Sequence, residues 1–282
     1  MAKKIRSLFA LLRGQMTDWL YSPRTIMMGL VILSLGFINA KSFEKTIIDY
    51  ALTSHFGEAM YTYLSTGFGN LLMISVYFLV MVSEIPRRIP AQLTMLIRTN
   101  RMKWLRSQIL FCFLIVVLMM ALLTLLSMAL TLPYVTPGSG WSMRSSNLEL
   151  NYIPDYVPDY IRVITPLQAN ALAASILFAF WFTMVLVILL FSLAGKPNVG
   201  LIIYVTILMA AVTLMWEYLP NWFRTIIPTN YATLSNIGAA FPNRELKSVP
   251  IVLLSYAVAD VLLIGGMVII VKNMDLHFIK KG

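Results

Sequence analysis

ILFCFLIVVLMMALLTLLSMAL, residues 109–130, runs for 22 residues without a charged side chain. A helix needs about 20 residues to cross the ~30 Å hydrocarbon layer of a bilayer, and it must satisfy its own backbone because lipid offers no partners. The stretch is therefore expected to be a membrane-spanning helix. Working outward, residues 25–40, 64–82, 169–193, 199–219 and 251–271 have the same character, which predicts six spans. The segment 25–40 is short at 16 residues, so flanking Tyr21 or Phe43 must be drawn into the interface, or the bilayer thinned beside it. Composition agrees: 59% of the 282 residues are hydrophobic and 12% charged, against roughly 45–50% and about 25% in an ordinary soluble domain. The longest polar stretch between spans, the expected outer loop at residues 133–166, leaves no room for an independent soluble domain.

Orientation follows from the basic residues, which accumulate in cytoplasmic loops. With the N-terminus inside, the inner segments hold Lys3, Lys4, Arg6, Arg13, Arg24, Arg87, Arg88, Arg98, Arg101, Lys103, Arg106, Lys196, Lys272, Lys280 and Lys281, which is 15 of 22. Acidic residues lean outward, with Glu44, Asp49, Glu58, Glu149, Asp155, Asp159, Glu217 and Glu245 outside or at the outer edge. The expected location is the cytoplasmic (plasma) membrane, with both termini cytoplasmic. The net charge of +10 is then an inner-face charge suited to anionic membrane lipid or an acidic protein surface. Nucleic acid is excluded as a partner because no soluble fold is available to present the charge. The basic N-terminus lacks a continuous apolar stretch ending in a small-residue cleavage site, and is expected to be retained.

Two inner segments are not spans. Residues 4–20 place Ile5, Leu8, Phe9, Leu12, Met16, Trp19 and Leu20 at helical spacing, which predicts an amphipathic helix in the inner interface anchored by Ile5, Phe9, Leu12 and Trp19. Residues 84–107 form the longest cytoplasmic segment. Pro86 and Pro90 stop the preceding helix, and residues 91–97 suit a short helix with Leu93, Leu96 and Ile97 on one apolar face. Such a helix, flanked by Arg87, Arg88, Gln92, Arg98 and Arg101, can transmit force from a docked partner. A basic loop that only fixes topology and binds lipid headgroups accounts for the composition equally well.

This arrangement resembles the permeases of the bacterial type-2 ATP-binding cassette exporters, in which an interfacial helix precedes six spans and a coupling helix follows the second. The resemblance extends over nearly the whole chain in organisation. It rests on Glu84, Leu93, Leu96, Thr99, Arg101 and residues 108–110 opening the third span. The chain departs from the family pattern where Pro90 and Ala91 stand for a Gly-Thr pair, Asn100 for a proline and Gln108 for a lysine. The resemblance also implies a re-entrant outer hairpin at residues 220–248. There Trp222, Phe223, Ile226, Ile227, Leu234 and Ile237 are unusually apolar for a surface loop, and Pro228 and Pro242 supply breaks.

Several chemistries are missing. The chain carries no phosphate-cradling Gly-x-x-x-x-Gly-Lys-Ser/Thr loop, since Gly195-Lys196 is followed by Pro197. It is therefore not expected to be an enzyme. The resemblance implies a separate ATPase subunit in two copies, carrying ATP and Mg, and a second permease copy or paralogue. With only His55 and His277, neither a His-Glu-x-x-His zinc site nor a histidine-based triad is available. No metal or cofactor is expected in this chain. Gly67-x-Gly69 reads as helix packing, the single Cys112 as core, and the 18 methionines as packing or a soft lining for hydrophobic cargo. Asp155 and Asp159, behind Pro154 and Pro158, read as an extended outer loop and not as an acid pair. Asp260 is the one clear mid-span charge, and burying it in lipid is costly, so it is expected to face protein or water. Asp260, with Glu217 at the edge of the fifth span, is the translocation-path candidate; a structural carboxyl bonded to a neighbouring helix is the other reading of Asp260.

The function expected on these grounds is the permease of an ATP-driven exporter moving an amphipathic or hydrophobic molecule, with a peptide or peptide antibiotic favoured by the small outer loops. The alternatives are a lipid-linked or drug-like cargo, or a non-transporting membrane scaffold or immunity protein.

Overall fold

The computed structural model describes residues 2–49, 54–55, 57–58, 61, 68–86, 100–142, 159–213, 228–234, 237 and 246–273. Over these residues the chain is helical, and the one β-type pairing among them is an isolated parallel bridge between His55 and Thr136. Seven long helices follow in order: α1 (Ala2–Leu20), α2 (Pro23–Asp49), α3 (Phe68–Val82), α4 (Arg101–Thr131), α5 (Pro166–Leu193), α6 (Pro197–Thr213) and α7 (Val249–Asn273).

Three helical stretches among the described residues are long and apolar enough to cross a membrane: Arg101–Tyr134, Pro166–Leu193 and Leu246–Asn273. A fourth qualifies if the pair Phe9–Leu20 and Pro23–Ile38, bent by 64° at Tyr21 and Ser22, is one broken span. The apolar part of α6, Pro197–Ala210, is shorter. The outer turns expected for the second and fifth spans, residues 64–67 and 214–219, lie outside the described residues, as do most of the outer loop and of the re-entrant hairpin.

Helix α2 has 27 residues where the apolar window has 16. Hydropathy marks only the part of a helix that lipid requires to be apolar. Beyond Ala40 the helix continues because Lys41 pairs with Glu44 one turn on, at 2.5 Å, and both charges can stand in water. Helix α4, at 31 residues, is about 46 Å long, more than the ~30 Å hydrocarbon layer, and its charged residues, Arg101, Lys103 and Arg106, all lie in its first two turns.

The local signals sit where the helices need them. Asn100 caps α4 by accepting from the Met102 N–H at 2.9 Å. Thr165 and Gln168 form a reciprocal capping box at the start of α5, with Pro166 in the first helical position. At its other end, Gly195 adopts φ +76°, Lys196 N–H donates to the Phe191 carbonyl at 2.9 Å, and Gly195 N–H donates to that of Ser192 at 3.2 Å. That is a Schellman ending, and Pro197 then opens α6 directly. The Gly-Lys-Pro triplet is a helix hairpin.

Helix α5 is the hub, packing against α3, α4, α6 and α7. Trp181 on α5 is fully buried, stacks on Phe78 with centroids 4.9 Å apart, and donates its indole N–H to Ser75 Oγ at 3.0 Å. Tyr204 of α6 donates to the Ser75 carbonyl at 3.1 Å, so three helices meet at one serine. At Gly200 a Cβ atom would lie 3.0 Å from Ile188 Cα, which shows how closely the α6 backbone approaches α5.

Candidate functional site

Besides the Ser75 junction and the Lys41–Glu44 pair, three polar assemblies stand out among the described residues. The first joins the end of α1 and the starts of α2 and α4 to the end of α3. Trp19, on α1, is 1% exposed; it donates to the Met81 carbonyl at 3.3 Å and meets Phe111 edge-on at 6.5 Å. Gln15, one turn earlier, donates to Ser107 Oγ at 3.4 Å, and Ser107 in turn donates to the Trp104 carbonyl. Just past the 64° elbow, Arg24 reaches Glu84 at 2.9 Å and Ser83 Oγ at 3.0 Å. These contacts tie α1 to both flanks of residues 87–99.

The second assembly lies at the opposite ends of the helices. Glu58, nearly fully buried, accepts from Ser54 Oγ at 3.1 Å, from the His55 N–H at 3.4 Å, from Ser142 Oγ at 2.6 Å and from the Ser142 N–H. The reach back to His55 is the acidic half of a capping box, which orients the carboxylate for the serines. His55 Nδ1 is 2.7 Å from the Gly140 carbonyl, and a Cβ at Gly138 would strike the imidazole at 2.4 Å. The Trp141 indole donates to the Ile164 carbonyl at 2.7 Å, and Asn170 Nδ2 to that of Gly57 at 2.6 Å. The strap after α4 is thus sewn to the residues after α2 and to the start of α5. A buried carboxylate with four donors holds chain segments together, and the hydroxyls of Ser54 and Ser142 both donate to it.

The third is Asp260, the twelfth of the 25 residues of α7. It is half-buried, and its Oδ1 accepts from Thr183 Oγ1 of α5 at 2.7 Å. One turn before, Tyr256 packs on Phe180 at 6.4 Å and donates to the Pro228 carbonyl at 2.9 Å. Helices α5 and α7 therefore run parallel, with matching residues rising together.

The residues expected to act divide as follows. Leu12 and Trp19 are buried against protein, whereas Phe9 is 59% exposed, so the expected anchors face both ways. Arg101 opens α4, partly exposed. Arg87, Arg88, Gln92, Leu93, Leu96, Ile97, Arg98 and Glu217 lie outside the described residues, as does the side chain of Ile5. Of the expected hairpin, Leu234 and Ile237 are fully buried. Sequence reasoning missed the Glu58 assembly. Its signal was local, since an acid four residues after Ser54 and three after His55 is a helix-start pattern, but Ser142 is 84 residues away. Among the described residues, no group of three or more His, Cys, Asp or Glu side chains could hold a metal ion. No protein-family model, curated protein or solved structure matches the chain at a significant level.

Proposed function

We propose that the chain is the six-span permease of an ATP-driven exporter, with residues 84–107 receiving force from a separate ATPase subunit on the inner face and an amphipathic cargo passing outward. One observation supports this reading above the rest: α1 is fastened to both helices that flank that segment, through Trp19 to the end of α3 and through Gln15 to the start of α4. A push on the segment is then carried into α1, α3 and α4 together, and through the α1–α2 elbow into α2. A loop that merely fixed topology would need no such brace. The gathering of α2, α3 and α4 termini at the basic end, and of the α4 end and α5 start at the Glu58 end, is what alternating spans require.

The experiment is a pull-down. The native chain should co-purify with an ATPase from its own cells, and Leu96→Asp should remain in the membrane but lose it, because apolar anchors dominate docking while rim charges steer it. Arg98→Ala should have a lesser effect. Recovery of no ATPase with the native chain favours the scaffold or immunity reading. Equal recovery with Leu96→Asp would remove residues 91–97 from the docking surface.

A further inference from the structure

Among the described residues, Asp260 has one hydrogen bond, from Thr183, and no ion pair. The ion pairs among the described residues are Arg24–Glu84 and Lys41–Glu44. Helices α3, α5 and α6 contain no charged residue at all. The other charge on α7, Lys272, stands twelve residues along, roughly 18 Å away at helical rise. Thr183 Oγ1 supplies a single donor to Oδ1. A lone carboxylate at the middle of an apolar helix is expensive unless something positive or polar comes to it.

What surrounds it indicates the shape of that partner. Val258, Val261 and Leu262, within two residues of Asp260, are 52%, 69% and 70% exposed, so the carboxylate lies at the margin of a bare apolar face. On its other side the buried stripe of α7, with Tyr256 and Met267, packs towards α5. A molecule resting there would lay an apolar body along Val258, Val261 and Leu262 and present a positive group to the carboxylate, of which Thr183 engages only Oδ1.

We propose that Asp260 is the charge-recognition site for an amphipathic cation, which approaches along the bare face of α7, with Thr183 holding the carboxylate in place. This deepens the exporter reading by giving its cargo a sign, and it rests on that reading only for the claim that the bound cation is transported. The recognition is ionic plus apolar: an ammonium, guanidinium or delocalised onium group qualifies, and an anion of the same shape does not.

The test uses the full chain in phosphatidylcholine nanodiscs, with tetraphenylphosphonium as the probe and tetraphenylborate as its counterpart of like shape and opposite charge. Phosphonium binding should be saturable, about tenfold weaker in Asp260→Asn, and within about threefold of native in Asp260→Glu and Thr183→Val, since a charge-assisted pair needs the carboxylate charge more than the hydroxyl that steadies it. The borate should show no dependence on residue 260. Equal phosphonium binding by the native chain and Asp260→Asn overturns the proposal. So does a variant that changes only the oligomeric state, which would assign the bare face to a second copy. The native chain gives an independent check: dicyclohexylcarbodiimide should label Asp260, and phosphonium but not borate should protect it. Absence of protection sinks the site even if Asp260→Asn fails to fold. Because no ATPase is present, Asp260-dependent binding alongside an empty pull-down would keep the site and discard the exporter, and the opposite pair of results would do the reverse.

Discussion

Helices α5 and α7 are each apolar enough and long enough to span a membrane, yet 67% of the apolar window of α5 is buried in protein and only 17% of that of α7. In water such a difference would be written in the sequence as a polar face. In lipid it is not, because a leucine facing acyl chains and a leucine facing protein lie in equally apolar surroundings, and association rests on close packing and interhelical hydrogen bonds. Helix α5 is central because it offers Trp181 to Ser75, Thr183 to Asp260, and a groove at Ile188 that a glycine on α6 can approach. Along α7, Ile251, Leu254, Val258, Val261, Leu262 and Ile269 make no such fit and stay bare.

The comparison is sharpest at Trp181. Trp181→Ala removes a fully buried ring, its stack on Phe78 and its bond to Ser75, and should lower stability by about 3 kcal/mol, measured by reversible unfolding in mixed micelles. A loss below 1 kcal/mol there would show that α5 is not the hub. Next comes Gly200→Leu, which drives a side chain into the Ile188 backbone and Phe191 and should cost about 2 kcal/mol by overpacking, read in the same assay. The double substitution Val261→Ala with Leu262→Ala on α7 should change stability by less than about 0.5 kcal/mol, because lipid replaces the lost contacts. A cost near that of Trp181→Ala would mean that α7 is covered by protein in the membrane.

The smallest expected effect is at the C-terminal end of α2, another helix with a bare apolar face. The bond from Lys41 holds the Glu44 carboxyl below its ordinary value, and the same bond raises the Lys41 ammonium. A carboxyl lowered by folding contributes above its unfolded pKa and loses that contribution as the pH falls through its folded one. The raised Lys41 contributes below its ordinary value of 10.5 and loses it in more alkaline solution. Lys41 is exposed and Glu44 partly so, and the consequence is local. Hydrogen exchange at residues 45–48 should quicken, beyond its intrinsic pH dependence, when the pH falls through the carboxylate range, and should quicken at neutral pH in Glu44→Ala. Exchange unaltered by both changes would show that the helix continues past Ala40 without help from this pair.

Hydropathy alone makes the chain legible as helical, and its runs at residues 109–130, 169–193 and 251–271 fall within the three helical stretches long and apolar enough to span a membrane. A run of 22 uncharged apolar residues has one stable backbone solution in a bilayer, and Asn100, Thr165 with Gln168, and Gly195 punctuate the helices by local hydrogen bonding that needs no distant partner. It also exposed Asp260, because a charge in an apolar run is visible without a fold. What it left open was every relation between helices. Hydropathy gives no burial rank in lipid, so nothing in the composition of α5 and α7 distinguished hub from rim. Leu12 and Trp19 have the periodicity of a lipid-facing stripe, but they pack against protein because α4 projects far enough to lie beside α1. Glu58 read as one outer acid among several until the strap after α4 brought Ser142 to it. Only the tertiary structure could decide these, since each depends on two segments that are far apart in the chain and meet through shape and a few directed hydrogen bonds.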